Sequence, residues 1–191
     1  MVRLSPFILY MNKQAELQRR LMNPETRYAA FEEAVRTYSP VLYNQIRRMV
    51  TWHDDAEDVL QNTFLKAWQA LGSYRGDSQV STWLYRIAIN ESLTFLSKQK
   101  DSASLSDEET VAQVAARLES DPYFDGDETE RQLQAALATL PDKQRLVFNM
   151  KYFEEMKYED MSALLGTSVG ALKASYHLAV KKIEQFFNEI D

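Results

Sequence analysis

The segment YEDMSALLGTSVGALKASYHLAVKKIEQFF, residues 158–187, contains two amphipathic helical patterns separated by a glycine. In the first pattern Met161 and Leu165 share one face, and Gly166 is placed to end the helix in a left-handed conformation. Ser168 is a good N-cap for the second helix, because its hydroxyl can accept a hydrogen bond from the first turn. Helix, glycine turn and helix in this order are typical of a helix-turn-helix.

The second helix of this motif has an apolar face opposite a face of small and polar side chains. The residues expected to be buried are Val169, Leu172, Tyr176, Ala179 and Ile183. The residues expected to face solvent are Ser168, Gly170, Ala171, Lys173, Ala174, Ser175 and His177. Small side chains allow close approach, and the major groove of DNA admits a helix that reads base edges. The pattern favours a DNA-recognition helix, but a helical pair around a glycine turn can also serve only as core packing.

Another strong helical pattern lies in the first half of the chain, between Asp54 and Gly72. Asp54 followed by Glu57 resembles a capping box, and Gly72 is a stop signal. The apolar residues at helical spacing, expected to face the core, are Leu60, Phe64, Ala67, Trp68 and Leu71. The polar residues on the opposite face are Asp58, Gln61, Asn62 and Lys66. We predict one amphipathic helix over this segment.

Three further helix starts follow from local signals. Ser39 and Pro40 indicate a helix beginning at the proline, which is favoured at the first helical position. Ser81 can cap a helix through TWLYRIAINESLTFLSKQK, and Pro141 can open a helix in the stretch LPDKQRLVFNMKYF. No stretch has the character of a strand. The sequence therefore predicts an all-α protein.

Charge is distributed unevenly along the chain. Residues 101–128 carry a net charge of minus 8, whereas residues 1–100 carry plus 3 and residues 129–191 carry minus 1. The acidic stretch has few aromatics and contains a proline and a glycine, a composition typical of flexible linkers. Within it, Val111 to Leu118 can form a transient helix. We expect an uncommitted linker between two domains.

The expected domains are residues 24–100 and residues 129–188. Residues 1–23 are expected to be an N-terminal arm or, over the first ten residues, an upstream-start artefact. The apolar stretch from Pro6 to Met11 is too short for a membrane span or for the core of a secretory signal. A cytoplasmic protein is therefore expected.

Composition leaves little material for catalysis or metal binding. The chain has no cysteine, and its two histidines, His53 and His177, lie far apart in sequence. Disulfides, thiolate nucleophiles and cysteine-based zinc sites are excluded. The acidic stretch DPYFDGDETERQ resembles a calcium loop, but Tyr123 occupies the third position and Gln132 replaces the closing glutamate. We predict no metal and no cofactor.

The stretch SYRGDSQVSTWLYRIAIN, residues 73–90, mixes aromatic and cationic side chains beside a flexible turn. This composition suits single-stranded DNA, because bases stack on aromatic rings and phosphates pair with cations. The same aromatic residues, Trp83 and Tyr85, can instead pack the core of the domain. The pattern alone does not decide between these roles.

Together these segments resemble the bacterial sigma factors, specifically the extracytoplasmic-function (ECF) group of the sigma-70 family, which retains regions two and four. DAEDVLQNTFLKAWQAL, residues 55–71, is similar to region 2.2, and residues 73–90 are similar to regions 2.3 and 2.4. Residues 140–183 are similar to regions 4.1 and 4.2. The resemblance implies two small helical domains, a region 2 bundle and a region 4 helix-turn-helix, joined by the flexible acidic linker.

The resemblance also implies a division of labour among residues. Those expected to bind core RNA polymerase are Asp54, Asp58, Leu60, Gln61, Phe64 and Lys66. Those expected to melt and read minus-ten DNA, with a flipped base captured near the loop, are Tyr74, Arg75, Asp77, Ser78, Thr82, Trp83, Arg86 and Asn90. Those expected to read the minus-thirty-five element are Ser168, Gly170, Ala171, Lys173, Ala174, Ser175, His177 and Lys181. Expected partners are core polymerase, promoter DNA and an anti-sigma factor of membrane-anchored type, with no small-molecule substrate.

The chain departs from the family pattern at several positions. Where the family commonly has arginines in the recognition helix, this chain has Ser175, Leu178 and Val180. Fewer phosphate contacts are therefore expected. Lys157 replaces the usual glycine-serine start of the first motif helix, which leaves that helix without a good cap.

Two other classes of protein fit parts of the sequence. An ordinary helix-turn-helix regulator would need a ligand pocket or a dimer interface in residues 24–100. A nucleic-acid enzyme would need clustered carboxylates, and such a cluster occurs at Asp54, Asp55, Glu57 and Asp58. However, a helix N-terminus attracts acidic residues without any metal. The sigma-factor interpretation explains more of the chain, and it predicts a protein that catalyses no reaction.

Overall fold

The computed structural model describes residues 6–102, 111–124 and 126–190. These residues form helices and contain no strand, which confirms the predicted all-α class. The helices are α1 (Pro6–Met22), α2 (Arg27–Val50), α3 (His53–Ala70), α4 (Val80–Ser102), α5 (Val111–Glu119), α6 (Glu128–Ala138), α7 (Asp142–Tyr152), α8 (Tyr158–Leu165) and α9 (Val169–Ile190), with a 3-10 turn at Leu71–Ser73. Within the described ranges, no helix combines the length and the apolar character needed to cross a membrane.

The chain divides into two compact units. The first comprises Met1–Ile46 and Glu57–Ser92, and the second comprises Arg47–Ala56 and Leu93–Asp191. These boundaries differ from the expected limits of 24–100 and 129–188. The second unit includes the end of α2 because side chains of α7 bind its terminal carbonyl groups.

Residues Pro6–Met22, which fall in the expected N-terminal arm, form helix α1. Leu17 and Leu21 are buried, and Gln14 accepts a hydrogen bond from the Tyr38 hydroxyl of α2. The amphipathic pattern of α1 thus has a partner face within the first unit. Residues 1–5 of the expected arm lie outside the described residues.

Helix α2 continues through Pro40, so the prediction of a helix start at this proline is wrong. Pro40 lies in the middle of the helix, and Ser39 Oγ donates a hydrogen bond to the carbonyl of Val35, 2.6 Å away. Tyr38 and Leu42, on either side of the proline, are both buried on the same helix face. Their burial outweighs the single backbone hydrogen bond that proline cannot donate.

The starts of α3 and α4 lie one or two residues before the predicted caps. Helix α3 begins at His53, so Asp54 lies in its first turn. There the Asp54 carboxylate interacts favourably with the positive end of the helix dipole. Helix α4 begins at Val80, and Trp83 donates its backbone N–H to Gln79 O at 3.0 Å. Ser81 is therefore inside the helix. Differences of this size arise because the terminal turns of a helix depend on few contacts.

The predicted helix-turn-helix is present in α8 and α9. Gly166 has a φ of 63°, and its N–H bonds to Ser162 O, so it ends α8 in the left-handed conformation expected of it. Ser168 Oγ accepts a hydrogen bond from Ala171 N at 3.3 Å, as predicted for the cap of α9.

Lys157 precedes α8 and its side chain makes no capping hydrogen bond. Helix α9 packs with α6 and α7 around Leu137, Phe148, Ala179 and Ile183.

Part of the expected linker is a packed helix. Val114 and Leu118 of α5 are buried against Ala135 of α6. Helix α6 then begins with a capping box formed by Asp127 and Glu130. The sequence pattern predicted only a transient helix here, because a short apolar segment in an acidic stretch is a weak helical signal. Residues 103–110 of the expected linker lie outside the described residues.

Candidate nucleic-acid interface

The loop between the 3-10 turn and α4 is closed by its own tyrosine. Tyr74 is 9% exposed, stacks on Trp83 with ring centroids 4.7 Å apart, and donates its hydroxyl to Ser78 O at 2.6 Å. Burial raises the pKa of Tyr74 to about 12, with smaller contributions from Tyr38 and Asp77. Tyr74 therefore stays a neutral phenol, and its buried ring and hydroxyl shape the loop.

The polar residues of this loop lie nearer the surface. Arg75 and Asp77 are exposed, and Gly76 and Ser78 are partly buried. Gly76 has a φ of 78°, a left-handed conformation that glycine adopts without steric cost. Its carbonyl oxygen accepts a hydrogen bond from Gln18 Nε2 of α1 at 2.7 Å. Sequence reasoning missed Gln18, because nothing in the sequence near residue 18 indicates a contact with residue 76.

Helix α4 presents a stripe of polar residues next to the loop. Thr82, Arg86 and Asn90 are spaced by four residues and therefore share one face of the helix. Arg86 and Asn90 are exposed, while Thr82 is partly buried. Trp83 is partly buried because its ring supports Tyr74. The structure thus brings the predicted minus-ten residues together as one loop and one helical stripe in the first unit.

The predicted recognition face of α9 is open. Seven of its residues are exposed, namely Ser168, Gly170, Ala171, Lys173, Ala174, His177 and Lys181. Ser175 is partly buried. Lys173 Nζ lies 5.6 Å from the centre of the Tyr158 ring of α8, a contact that sequence reasoning missed. Burial raises the pKa of Tyr158, with Tyr176 adding to the shift.

The α3 residues predicted to bind polymerase divide into exposed and inward-facing groups. Asp54, Asp58, Gln61 and Lys66 are exposed, and Lys66 pairs with Glu91 of α4 at 2.6 Å. Leu60 is buried at 9% exposure, so its assignment as a contact residue is corrected. Phe64 is partly buried and packs edge-on against Phe31 at 6.4 Å. The helical period places both side chains toward the core of the first unit.

Two large apolar residues on α3 are exposed instead. Leu65 is 52% exposed and Trp68 is 38% exposed, although Trp68 was expected on the inner face. Thr63 takes the inner position, and its hydroxyl donates to Val59 O at 2.8 Å. Trp68 packs against Tyr28 of α2 with ring centroids 5.0 Å apart. Exposed apolar side chains beside Asp58 and Gln61 are typical of a protein-binding surface.

Comparison with protein families matches both halves of the chain. Residues 34–102 match the family model of Sigma-70 region 2, and residues 130–183 match that of Sigma-70, region 4. The ECF RNA polymerase sigma factor SigW of Bacillus subtilis is 30% identical over 157 residues, which cover 78% of this chain and 83% of SigW. The RNA polymerase sigma-H factor of Pseudomonas aeruginosa is 29% identical over 188 residues, which cover 93% of this chain and 95% of that factor.

Two solved structures share the fold. The sigma factor RpoE of Bartonella quintana, in complex with the anti-sigma factor NepR, superposes with a TM-score of 0.65 at 24% identity and covers 83% of this chain and 96% of RpoE. CnrH in complex with the cytosolic domain of CnrY superposes with a TM-score of 0.66 at 23% identity, over 93% of this chain and 99% of CnrH.

Proposed function

The chain belongs to the sigma-70 family, within the group of ECF RNA polymerase sigma factors, and from this premise we propose how its surfaces share promoter recognition. As a member of this family it acts in transcription initiation. We assign polymerase binding to the outer face of α3, minus-ten recognition to the loop at Gly76 with α4, and minus-thirty-five recognition to α9. In this proposal the chain catalyses no reaction and lends promoter specificity to core polymerase in the cytoplasm.

The polymerase surface combines exposed polar and apolar side chains on α3. Asp58 and Gln61 supply directional contacts, and Leu65 and Trp68 supply apolar area that leaves water on binding. Buried Leu60 contributes by holding α3 in place. Replacing Asp58 with Arg reverses a surface charge and changes no buried contact. We expect Asp58→Arg to lower affinity for core polymerase while helical circular dichroism is unchanged. Normal binding by this variant would show that Asp58 is not part of the polymerase-binding surface.

Recognition of the minus-ten element is assigned to the loop that Tyr74 closes. The observation that carries this assignment is the Tyr74 hydrogen bond to Ser78 O, which shapes the loop while Arg75 and Asp77 stay exposed. A loop that is ordered before binding loses little conformational entropy when it captures a base. The guanidinium of Arg75 and the carboxylate of Asp77 can form hydrogen bonds with a base that has left the duplex.

The α4 stripe supports melting beside this loop. Thr82, Arg86 and Asn90 are about one helical turn apart, so they can follow a strand along the helix. Arg86 can neutralise a phosphate, and Thr82 and Asn90 can hydrogen-bond to the sugar-phosphate backbone. Capture of one base by the loop and of the strand by α4 would offset the cost of opening the duplex.

Recognition of the minus-thirty-five element is assigned to α9. The small residues Gly170, Ala171 and Ala174 allow the helix backbone to approach base edges, and Lys173 is the cation nearest the start of the face. The surroundings are not strongly cationic, because Glu159 and Asp160 are exposed in the first turn of α8. Since phosphate neutralisation supplies most non-specific affinity, the isolated chain should bind promoter DNA at about micromolar strength or weaker.

An anti-sigma factor is the proposed negative regulator. The solved RpoE and CnrH structures are complexes with NepR and with the cytosolic domain of CnrY, respectively. By analogy, we propose that a protein of this kind, anchored in the membrane, covers the polymerase and DNA surfaces of this chain. Co-purification from the native cell without the inducing signal should return such a complex. Recovery of the chain either free or bound only to polymerase would contradict the proposal of an anti-sigma partner.

The whole proposal is tested by promoter-dependent transcription. Purified chain and core polymerase should together produce run-off transcripts from a subset of a promoter library, and neither should do so alone. The same promoters, measured by fluorescence anisotropy in a salt titration, should bind the complex tightly and the isolated chain weakly. Tight, sequence-specific binding by the chain alone at physiological salt would favour an ordinary helix-turn-helix regulator instead.

Lys173→Ala tests the assignment of α9 within the same assay. Transcription should fall at promoters with an intact minus-thirty-five element and change little where that element is scrambled, because the lost contact exists only in the first case. Lys143→Ala, an exposed lysine of α7 outside the recognition face, is the matched control. An equal loss with both variants would indicate a general charge effect.

A further inference from the structure

Helix α1 contacts the loop to which minus-ten recognition is assigned. Gln18 Nε2 donates a hydrogen bond to Gly76 O at 2.7 Å, across 58 residues of sequence. Gly76 lies between Arg75 and Asp77, both of which are exposed. Because a peptide unit is planar, fixing this carbonyl fixes the orientation of the peptide plane that leads into Asp77. Gln18 thereby sets where the loop presents its side chains.

The fit between α1 and the loop is close. A Cβ atom placed on Gly76 would lie 2.8 Å from Gln18 Nε2 and 3.0 Å from Met22 Sδ. Such distances leave no room for a methyl group unless the side chains of α1 move. Together with the φ of 78° at Gly76, this close packing makes glycine the residue that fits here. Helix α1 is therefore a wall of the loop as well as a hydrogen-bond donor to it.

Helix α1 is itself held firmly against the first unit. Leu17 and Leu21 are buried, at 4% and 0% exposure. Arg20 pairs with Glu33 of α2 at 2.6 Å, and Thr26 Oγ1 donates to the carbonyl of Arg20 at 2.9 Å. Gln18 is thus presented from an anchored helix, so its hydrogen bond costs little side-chain and backbone entropy beyond that already lost in folding.

The loop consequently has two independent supports. One comes from inside the loop, where the Tyr74 hydroxyl holds Ser78 O. The other comes from α1, where Gln18 holds Gly76 O. The two bonds bracket Asp77, so a rotation of either peptide would need one of them to break. Such double fixation is what a precise reading of one unpaired base requires.

We propose that α1 is a positioning element for minus-ten recognition and that Gln18 is its positioning residue. This inference rests on the proposed function of the loop. Gln18 touches no DNA in this proposal; it keeps the loop in the geometry in which Arg75 and Asp77 meet the captured base. Loss of the Gln18 hydrogen bond leaves the loop folded by Tyr74 but free to rotate at Gly76, so base discrimination weakens while the fold persists.

The test compares variants of Gln18 in the complete chain bound to core polymerase. Gln18→Leu keeps a side chain of similar size but cannot donate, and Gln18→Lys keeps a donor at a similar reach. Glu16→Gln changes an exposed residue of the same helix and is the matched control. The measurement is the affinity of each complex for single-stranded minus-ten oligonucleotides, with each base replaced in turn.

Gln18→Leu should lower affinity for the cognate strand about threefold to tenfold, as expected for one hydrogen bond, and reduce discrimination at one base position only. Gln18→Lys should retain most of both, and Glu16→Gln should match the unaltered chain. Thermal unfolding, core affinity and dependence on the minus-thirty-five element should be unchanged in Gln18→Leu. A uniform loss at all bases, or a parallel loss of core affinity, would show a merely structural role and overturn the inference.

The failure of this inference is distinguishable from failure of the proposed function. If the unaltered chain with core polymerase does not discriminate among minus-ten bases, the proposed function of the loop is wrong. If it does discriminate and Gln18→Leu discriminates equally well, the loop assignment stands and the role of α1 is overturned.

Discussion

Arg145 of α7 donates a hydrogen bond from Nη1 to the main-chain oxygen of Met49, 2.5 Å away, at the C-terminal end of α2. A second α7 residue, Asn149, donates from Nδ2 to Arg48 O at 3.2 Å. The last carbonyl groups of a helix have no partner within it, so these two side chains satisfy acceptors that would otherwise be buried without one. Burial lowers the pKa of Arg145 to about 10, against the stabilising effect of nearby Asp142.

Arg145→Met should therefore destabilise the second unit. The change removes the donors to Met49 O and to the carbonyl of Ala138 and leaves both acceptors buried. We expect a loss of about 2–4 kcal/mol in the free energy of unfolding, measured by urea denaturation. Lys143→Met, at an exposed position on the same helix, should change it by less than about 0.5 kcal/mol. Equal effects would show that Arg145 contributes nothing specific.

Tyr74 should ionise late in an alkaline titration. Its pKa is about 12 in the folded chain and 10.0 in the reference state, so the folded chain retains a proton that the unfolded chain loses. The resulting stabilisation is complete below pH 10 and disappears as the pH rises toward 12. Phenolate absorbance in the ultraviolet should show a late component in the unaltered chain that is absent from Tyr74→Phe. Unchanged late absorbance in that variant would assign it to another tyrosine.

Leu60 and Leu65 provide a matched pair on α3, because one is buried and the other is exposed. Leu60→Ala should lower the free energy of unfolding by about 2–3 kcal/mol through lost burial and a cavity. Leu65→Ala should leave unfolding nearly unchanged but weaken binding to core polymerase. Urea denaturation and a core-binding titration on both variants test this separation. Normal polymerase binding by Leu65→Ala would place the contact surface elsewhere on the helix.

Gly166 and Gly170 should respond in opposite directions to alanine. Gly166 has a φ of 63°, so Gly166→Ala should cost about 1 kcal/mol in stability from backbone strain alone, since a Cβ there meets nothing within 4 Å. Gly170 is helical, and a Cβ placed on it also meets nothing within 4 Å. Gly170→Ala should therefore raise the free energy of unfolding by about 0.5–1 kcal/mol. Thermal unfolding measures both. Because Gly170 lies on the recognition face, transcription should fall in Gly170→Ala despite the gain in stability.

Several errors of the sequence analysis share one cause, which is that local signals were outweighed by burial. Pro40 is a helix-start signal in isolation, but Tyr38 and Leu42 bury a common face of α2 and carry the helix through it. Trp68 is apolar at helical spacing, yet it is exposed and packs against Tyr28, whereas Thr63 is fully buried. Local propensity is worth fractions of a kcal/mol per residue, whereas burial of a large side chain is worth about 1.5–3 kcal/mol.

The sequence by itself determined the helix-turn-helix, since Gly166 and Ser168 act through the backbone of their own turn. Their chemistry is local, so it can be recognised without knowledge of any other segment. Only the tertiary structure decided that Gln18 holds Gly76 and that Arg145 holds Met49, pairs that are 58 and 96 residues apart. A hydrogen bond between distant segments has no local sequence pattern, because it depends on how separate helices pack and not on the propensity of either residue.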